Sequence, residues 1–237
     1  MASGLSLTRG STAVFPDEVL YRTVVGSLQY VTITRPDICF AVNKVCQFMQ
    51  TPYIEHWKVV KRILRYLAGS INHGLILCLS PTTSLVAFCD ADWAADKDDR
   101  KSMTGYCIYF GSNLVLWSSK NQCTVSRSST EAEYRSMAST VAELLWLQSL
   151  HSELHIKLVV VGVPYVLCDK LSAVMITTNP VLYARTKHLE LDLHFVRERA
   201  IRKEIRVQHI PSTSHVADGL TKAISCLGFP LFKEQLC

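Results

Sequence analysis

The apolar positions in the first third of the chain recur at helical spacing. A first helix is predicted from residue 18, because apolar side chains recur every three or four positions there, at Leu20, Val24, Leu28 and Val31. A second helix is predicted over 36–48, since proline fits the first turn of a helix, where the N–H that it lacks would have no partner. A third helix is predicted over 53–67. We therefore interpret 18–72 as a helical segment, and the Ser-, Thr- and Gly-rich residues 1–17 as a flexible leader.

From residue 75 the pattern changes to the short apolar runs and alternation that are typical of strands. Strands are predicted over 75–79, 85–93, 104–110 and 114–118. The last two flank Gly111-Ser112-Asn113, which predicts a hairpin between them. Residues 123–126 are compatible with a further strand of the same sheet.

Helices and strands alternate in the rest of the chain. Ser128-Ser129-Thr130 precedes an acidic first turn, which predicts the start of a helix that continues to about residue 150. It is followed by a strand that ends at Asp169, a short helix to 178, a helix over 188–203, a strand over 205–210, a loop over 211–214 and a helix over 215–223. The sequence therefore predicts a mixed α/β domain over 75–224, and the tail over 225–237 has no clear assignment.

The composition is that of a globular protein. The chain has 237 residues, of which 49% are hydrophobic and 19% charged, enough for one large domain or two small ones. It contains no apolar run of the roughly 18 residues that a membrane span needs and no signal-peptide pattern at its start. The nine cysteines form no Cys-x-x-Cys pair, which favours reduced thiols in the cytoplasm or nucleus and argues against structural zinc.

The net charge of +5 is unevenly distributed. The basic residues form two clusters, one at Lys58, Lys61, Arg62 and Arg65 and the other at Arg185, Lys187, Arg197, Arg199, Arg202, Lys203 and Arg206. Such clusters fit a polyanionic partner, and a solvated helix face explains either one equally well. Their presence beside a set of acidic residues favours nucleic acid.

Four acidic residues are the strongest candidates for chemistry. Asp90 and Asp169 each end a short apolar run, and Glu133 and Asp218 each stand in the first turn of a predicted helix. Carboxylates at strand ends and helix starts can converge, and converging carboxylates need cations. We therefore predict a site for two divalent ions that cleaves phosphodiesters. Taken singly, each of these acids also fits an ordinary role in a solvated turn or a helix cap.

Six longer stretches add a resemblance that spacing does not show. They are Cys89-Asp90-Ala91-Asp92-Trp93-Ala94, Asp99-Arg100-Lys101-Ser102, Trp117-Ser118-Ser119-Lys120, Ser128-Ser129-Thr130-Glu131-Ala132-Glu133-Tyr134, Arg185-Thr186-Lys187-His188 and Ala217-Asp218-Gly219-Leu220-Thr221-Lys222. Together they closely resemble the ribonuclease H region of copia-type retrotransposon Pol polyproteins. Tyr21-Arg22, Gly26-Ser27-Leu28-Gln29-Tyr30 and Thr34-Arg35-Pro36-Asp37 resemble the end of the reverse transcriptase in the same polyproteins, so the chain resembles a carboxy-terminal fragment of one.

The resemblance implies a ribonuclease H fold, which is a five-stranded mixed sheet with flanking helices. It assigns Asp90, Glu133, Asp169 and Asp218 as ligands of two Mg²⁺ ions, which Mn²⁺ can replace, with Asp92 and Glu131 as second choices. It also implies that the partner is an RNA–DNA hybrid whose RNA strand is cut to leave a 3′-hydroxyl and a 5′-phosphate. The rest of a reverse transcriptase is a further expected partner, and residues 18–70 are hypothesised to need it in order to fold.

Further residues are candidates for nucleic-acid binding. Ser128, Ser129 and Thr130 stand at a predicted helix start, where N–H groups attract phosphate, and helix capping explains them equally well. His209 lies near where cellular ribonucleases H carry a mobile histidine, although a single histidine near a strand end is more often structural. The remaining candidates, expected to grip phosphate, are Arg185, Lys187 and His188. A solvated helix entrance explains these three equally well.

The chain departs from the family pattern at a few positions. Lys170 stands where the family has Asn, Tyr183 where a His is common, and Ala95 where Gly is frequent. The chain also has no predicted strand with adjacent aspartates in the Tyr-x-Asp-Asp pattern of the polymerase, so no DNA synthesis is expected from this chain alone. An inactive relic that keeps the fold and at most binds nucleic acid is therefore the alternative. An integrase-type nuclease is disfavoured because its acids would be two Asp and then one Glu.

Overall fold

Three helices form the first part of the molecule. The structure is a computed structural model, and it describes residues 7–10, 13–81, 83–155, 162–178 and 190–236. The helices are α1 (Glu18–Val31), α2 (Cys39–Cys46), which a 3-10 turn over Pro36–Ile38 precedes, and α3 (Ile54–Gly69). Asp17 starts α1, because its Oδ1 accepts the N–H of Leu20 at 2.8 Å. The three helices predicted before residue 70 are confirmed.

The three helices pack around a core of their own. Its buried members include Tyr21, Val25, Leu28, Val42, Val45, Val60 and Ile63. The Tyr21 hydroxyl donates to the Val45 carbonyl at 2.8 Å, which fixes α1 against α2. Residues 13–17, predicted as part of a leader, contact this core, since the Phe15 ring stacks on Trp57 with centroids 4.8 Å apart.

The second part is built on one five-stranded mixed sheet. Its strands are β1 (Leu85–Asp92), β2 (Met103–Phe110), β3 (Asn113–Asn121), β4 (Tyr165–Cys168) and β5 (Arg206–His209). They lie in the order β3-β2-β1-β4-β5. β1, β2 and β3 pair antiparallel, whereas β4 runs parallel to both β1 and β5. This confirms the mixed five-stranded sheet with flanking helices.

Helix α4 (Ser129–Glu153) covers one face of the sheet. It is 25 residues long, and the side chains that it buries against the strands include Tyr134, Met137, Val141 and Leu144, all 0% exposed. Helices α5 (Leu171–Thr178) and α6 (Glu190–Ile201) pack beside it and contribute Ala173, Leu193 and Val196 to the same core. Among the described helices, none has both the length and the apolar character that crossing a membrane requires.

The opposite face of the sheet holds the C-terminal helices and the helical segment. Short helix α7 (Asp218–Thr221) and helix α8 (Phe229–Leu236) bury Leu220 and Phe232 against Cys107 and Leu114 of the sheet. Cys39 at the start of α2 belongs to the same cluster. The Trp117 indole N–H also donates to the Thr32 carbonyl at 2.9 Å. The two parts of the described chain therefore share a continuous interface.

Several predicted elements are wrong. Residues 75–79 form no strand. The Asn113 side chain accepts the Cys78 N–H at 2.7 Å and donates to the Cys78 carbonyl at 2.8 Å, so a side chain takes the place of a neighbouring strand at these two backbone groups. Residues 123–126 form a loop. The last predicted helix is reduced to α7, since the backbone of His215 is extended at ψ 94°, and the unassigned tail contains α8.

Candidate metal centre

Strand β1 places Asp90 in the interior, and a glycine opposite makes room for the helix that closes over it. Asp90 is 1% exposed and pairs with Gly105 in the ladder. A Cβ at Gly105 would lie 2.6 Å from Thr221 Cγ2 and 2.9 Å from Leu220 Cβ, so only glycine lets α7 approach this closely. Thr221 then donates its hydroxyl to Asp90 Oδ2, whereas Oδ1 has no hydrogen-bond partner within the described part of the chain.

Glu131 and Glu133, in the first turns of helix α4, have different environments. Glu131 is engaged locally, because its carboxylate accepts the Arg127 N–H at 2.9 Å and an Arg135 guanidinium N–H at 2.7 Å. Ser128 Oγ in turn accepts the Glu131 N–H at 3.2 Å and starts the helix. Glu133 points instead into the interior, 5% exposed, and its Oε2 finds no hydrogen-bond partner among the described residues.

The environment of Glu133 favours its protonated form in the absence of a cation. Burial and then the negative charge of Asp90, with smaller effects of Cys168 and Asp169, raise the pKa of Glu133 to about 10. Helix α4 is held against β1 by Ser136, whose hydroxyl donates to the Asp90 carbonyl at 2.8 Å. The carboxylates of β1 and α4 therefore lie close enough for the charge of Asp90 to act on Glu133.

Asp169 and Asp218 complete the acidic group at the same edge of the sheet. Asp169 follows β4, and its Oδ2 accepts the Ser212 hydroxyl at 2.8 Å. Asp218 begins α7 and is half-buried; burial and the charge of Asp90 raise its pKa. The structure thus brings all four predicted acids together, with Asp90 next to Glu133 and Asp218, and Glu133 next to Asp169.

Lys222 brings a positive charge into this acidic group. Its Nζ lies 3.0 Å from Asp218 Oδ1 and 3.5 Å from Asp90 Oδ2. Burial lowers the pKa of Lys222, but Asp90 and Asp218 outweigh it and raise the pKa above its usual range. The ammonium group therefore neutralises part of the acidic charge in the absence of a metal ion.

The ligand atoms form two groups of three. One consists of Asp90, His215 and Asp218, and the other of Glu133, Cys168 and Asp169; within each group the atoms lie within 4.8 Å of one another. Sequence reasoning missed His215, Cys168 and Lys222. Cys168 directly precedes Asp169, and Lys222 lies one helical turn after Asp218, so their spacing alone was a signal for two of the three.

The residues fit a pair of divalent ions. Two buried carboxylate oxygens without a protein partner are costly unless a cation neutralises them, and Mg²⁺ prefers carboxylate oxygens. The four acids supply such ligands from β1, α4, α7 and the residue after β4. Of the second choices, Glu131 is already bonded to Arg135, and the half-buried Asp92 has a pKa raised by burial.

The predicted nucleic-acid contacts lie around this edge only in part. Ser128 and Thr130 are engaged, the first as the cap of α4 and the second with Ser172 Oγ at 3.0 Å, and Ser129 is the first residue of α4. His209 is exposed, with Nε2 3.0 Å from the Asp169 carbonyl oxygen. The remaining three predicted contacts lie outside the described residues; they are Arg185, Lys187 and His188.

Comparison with known proteins finds close relatives. The retrovirus-related Pol polyproteins from transposons RE2 and RE1 of Arabidopsis thaliana are 46% and 47% identical to this chain over 236 and 232 residues, or 100% and 98% of it. The chain spans 16% of the length of each. A solved LC11-RNase H1 in complex with RNA/DNA hybrid aligns with 58% of this chain and 93% of its own, at 16% identity and a TM-score of 0.45. No family model matches the sequence.

The mixed sheet and its acidic edge define a ribonuclease H-like domain. Carboxylates come from near the ends of two neighbouring parallel strands and from the first turns of two helices that pack on opposite faces of the sheet. The identity extends over the helical segment as well as over this domain. The chain belongs to the copia-type retrotransposon Pol polyproteins.

Proposed function

We propose that the domain is a Mg²⁺-dependent endonuclease that cleaves the RNA strand of RNA–DNA hybrids during retrotransposon reverse transcription. The observation that carries this proposal is a pair of buried oxygens, Asp90 Oδ1 and Glu133 Oε2, that have no hydrogen-bond partner among the residues that the structure describes. They belong to a group of four carboxylates at one edge of the sheet, and hydrolysis of a phosphodiester is the chemistry that such a group supports when it holds two divalent ions.

Each acid has its own task in this proposal. Two bound ions would neutralise the phosphodiester charge and lower the barrier to in-line attack. Asp90, Glu133, Asp169 and Asp218 would hold them, and the Thr221 hydroxyl would fix the orientation of Asp90. Glu133 has to lose its proton before both of its oxygens can act as ligands, so binding is expected to release a proton.

We propose that a groove beside α4 receives a nucleic-acid strand. It has a volume of about 950 Å³, and its charged lining is mixed, with Lys120 and Arg135 positive and Glu190 and Asp192 negative. We propose that the start of α4, with Ser128, Ser129 and Thr130, holds a phosphate of the DNA strand, because the first N–H groups of a helix attract anions. His209 beside Asp169 is proposed to contact the RNA strand near the cut.

Cleavage of a labelled hybrid by the full chain tests this function. We expect cutting with Mg²⁺ and not with EDTA, and a loss of at least about 100-fold in Glu133→Gln, because removal of a metal ligand costs several kcal/mol of transition-state stabilisation. Glu153→Gln is the matched control, since Glu153 lies at the exposed far end of the same helix. Equal rates in the two variants would contradict the proposal.

One observation favours the alternative of an inactive relic. Lys222 already places an ammonium group between Asp90 and Asp218. There it fills space and neutralises negative charge that a metal ion needs. A folded wild-type chain that cuts no hybrid with Mg²⁺ or Mn²⁺ would establish this alternative.

A further inference from the structure

His215 is a buried histidine beside the acidic group. It lies between the 3-10 turn over Ser212–Ser214 and α7, and its side chain is 0% exposed. Both Nδ1 and Nε2 lack a partner within the described part of the chain. An unpaired buried polar group is destabilising, so the position is unfavourable unless something else binds the ring.

The ring of His215 has an apolar neighbour in Phe88 and a carboxylate near its Nδ1. The ring of Phe88 packs edge-on to the imidazole, with centroids 6.2 Å apart, and forms an apolar wall. His215 Nδ1 lies 3.8 Å from Asp218 Oδ1, which is too long for a hydrogen bond. The free nitrogen therefore stands next to the carboxylates, separated from them by a gap wider than a direct bond.

The size of this gap suits a metal ion. Ligand atoms of Asp90, His215 and Asp218 all lie within 4.8 Å of one another. Two atoms that each bind one ion at about 2.1 Å are at most about 4.2 Å apart, so a shift of roughly half an ångström brings all three into contact with the same ion. Lys222, which is 45% exposed, can move outward to make room.

We propose that His215 is a nitrogen ligand of the ion held by Asp90 and Asp218, and that this position takes a first-row transition ion in preference to Mg²⁺. An imidazole suits transition ions, whereas Mg²⁺ binds oxygen donors almost exclusively. The inference rests on the proposed function, in that it takes Asp90 and Asp218 as metal ligands. It adds a ligand that neither the spacing of the acids nor the resemblance to the family assigned.

Electron spin-echo spectroscopy of Mn²⁺ bound to the full chain tests this inference without any nucleic acid. We expect modulation from a directly bound ¹⁴N in the wild type. We expect the same signal in the matched control His194→Gln, because His194 lies 77% exposed on α6. In His215→Gln the signal should vanish and the affinity for Mn²⁺ should fall by about 10-fold or more, whereas the affinity for Mg²⁺ changes much less.

Two results would overturn the inference, and the first of them does not depend on the variant folding. The first is bound Mn²⁺ in the wild type without nitrogen modulation. The second is a modulation that persists in a His215→Gln chain whose melting transition is intact. Cleavage of the hybrid, measured in parallel, separates this inference from the proposed function. Nitrogen coordination without cleavage refutes only the proposed function. Cleavage with Mg²⁺ or Mn²⁺ without nitrogen coordination refutes only the role of His215.

Discussion

The ammonium group of Lys222 and a divalent cation compete for the same oxygens. Lys222 Nζ contacts Asp218 and Asp90 at 3.0 and 3.5 Å, and Coulomb attraction at such distances is substantial when one partner is as buried as Asp90. Binding of a metal ion therefore has to displace the lysine. The chain without metal gains stability from this contact at the expense of metal affinity.

Lys222→Gln is expected to bind Mg²⁺ roughly 10-fold more tightly than the wild type, because one opposing positive charge is removed from the site. The same variant should unfold more readily without metal, since Asp90 loses a cationic partner. Titration calorimetry and thermal unfolding measure the two effects. Lys58→Gln, at an exposed position of α3, is the control that should change neither; an unchanged Mg²⁺ affinity in Lys222→Gln would show that the lysine does not compete.

At the scale of elements, the contact between β2 and α7 determines whether the acids meet. Gly105 lies opposite Asp90 in the ladder and beneath Thr221 and Leu220. Gly105→Ala should push α7 away from the strand, destabilise the chain by about 1–3 kcal/mol and weaken metal binding, because Asp218 moves away from Asp90. Denaturant unfolding and a metal titration measure both effects.

The control for this prediction is a glycine with open space around it. Gly26 lies inside α1, and a Cβ added there meets nothing within 4 Å. Gly26→Ala should stabilise the chain by about 0.5–1 kcal/mol, because alanine loses less conformational freedom in a helix. If Gly105→Ala behaved like Gly26→Ala, α7 would not depend on the close approach at β2.

Elements with a strong local signal were predictable from the sequence. The hairpin at Gly111 and the cap at Ser128 each have a local cause, and both are present. The runs before Asp90 and Asp169 indicated where two carboxylates would stand. Local patterns did not reveal that the Asn113 side chain bonds Cys78, since that contact joins residues that are 35 positions apart.

The missed histidine of the site has the same explanation. His215 is one of eight histidines, and its burial follows from the packing of α7 and Phe88, which only the tertiary structure determines. The sequence predicted the four acids because the family motifs are literal runs of residues. It did not predict the nitrogen of His215, because no pattern within one element indicates it. The spacing of one helical turn between Asp218 and Lys222 was a signal for the ammonium group that the sequence analysis did not use.

At the scale of the whole molecule, the helical segment and the sheet share partly buried hydrogen bonds. Trp117 of β3 donates to Thr32, and Gln47 donates to Asn121 at 3.1 Å. Val19, Tyr30 and Ile33 remain 71%, 76% and 62% exposed. We propose that the rest of a reverse transcriptase covers this apolar face. Hydrogen exchange in α1 and at Ile33 should then slow when the polymerase part is added. Unchanged exchange would contradict the proposal.

The stability of the whole molecule should depend on pH through one buried ion pair of the helical segment. Arg35 and Asp37 form this pair at 2.8 Å, with side chains 9% and 8% exposed. The pair ties the turn before α2 to the end of α3, because Arg35 donates to the Ser70 carbonyl at 3.0 Å and Tyr66 donates to Asp37 at 2.6 Å. Burial raises the pKa of Asp37, but the bonds from Arg35 and Tyr66 outweigh it and hold the pKa below the usual 3.8.

A carboxylate whose pKa is lowered by folding stabilises the protein above its ordinary pKa, and this contribution is lost as the pH falls through the lowered value. Asp37→Asn should therefore cost about 3–5 kcal/mol at neutral pH, because it leaves a buried guanidinium without its counter-ion. It should also flatten the loss of stability below about pH 4. Glu18→Gln is the matched control, because the pair between Glu18 and Arg22 is 42% and 49% exposed, and such pairs contribute about 0–1 kcal/mol. Urea unfolding from pH 2 to 7 measures all three chains; an acid limb as steep in Asp37→Asn as in the wild type would assign the pH dependence to other carboxylates.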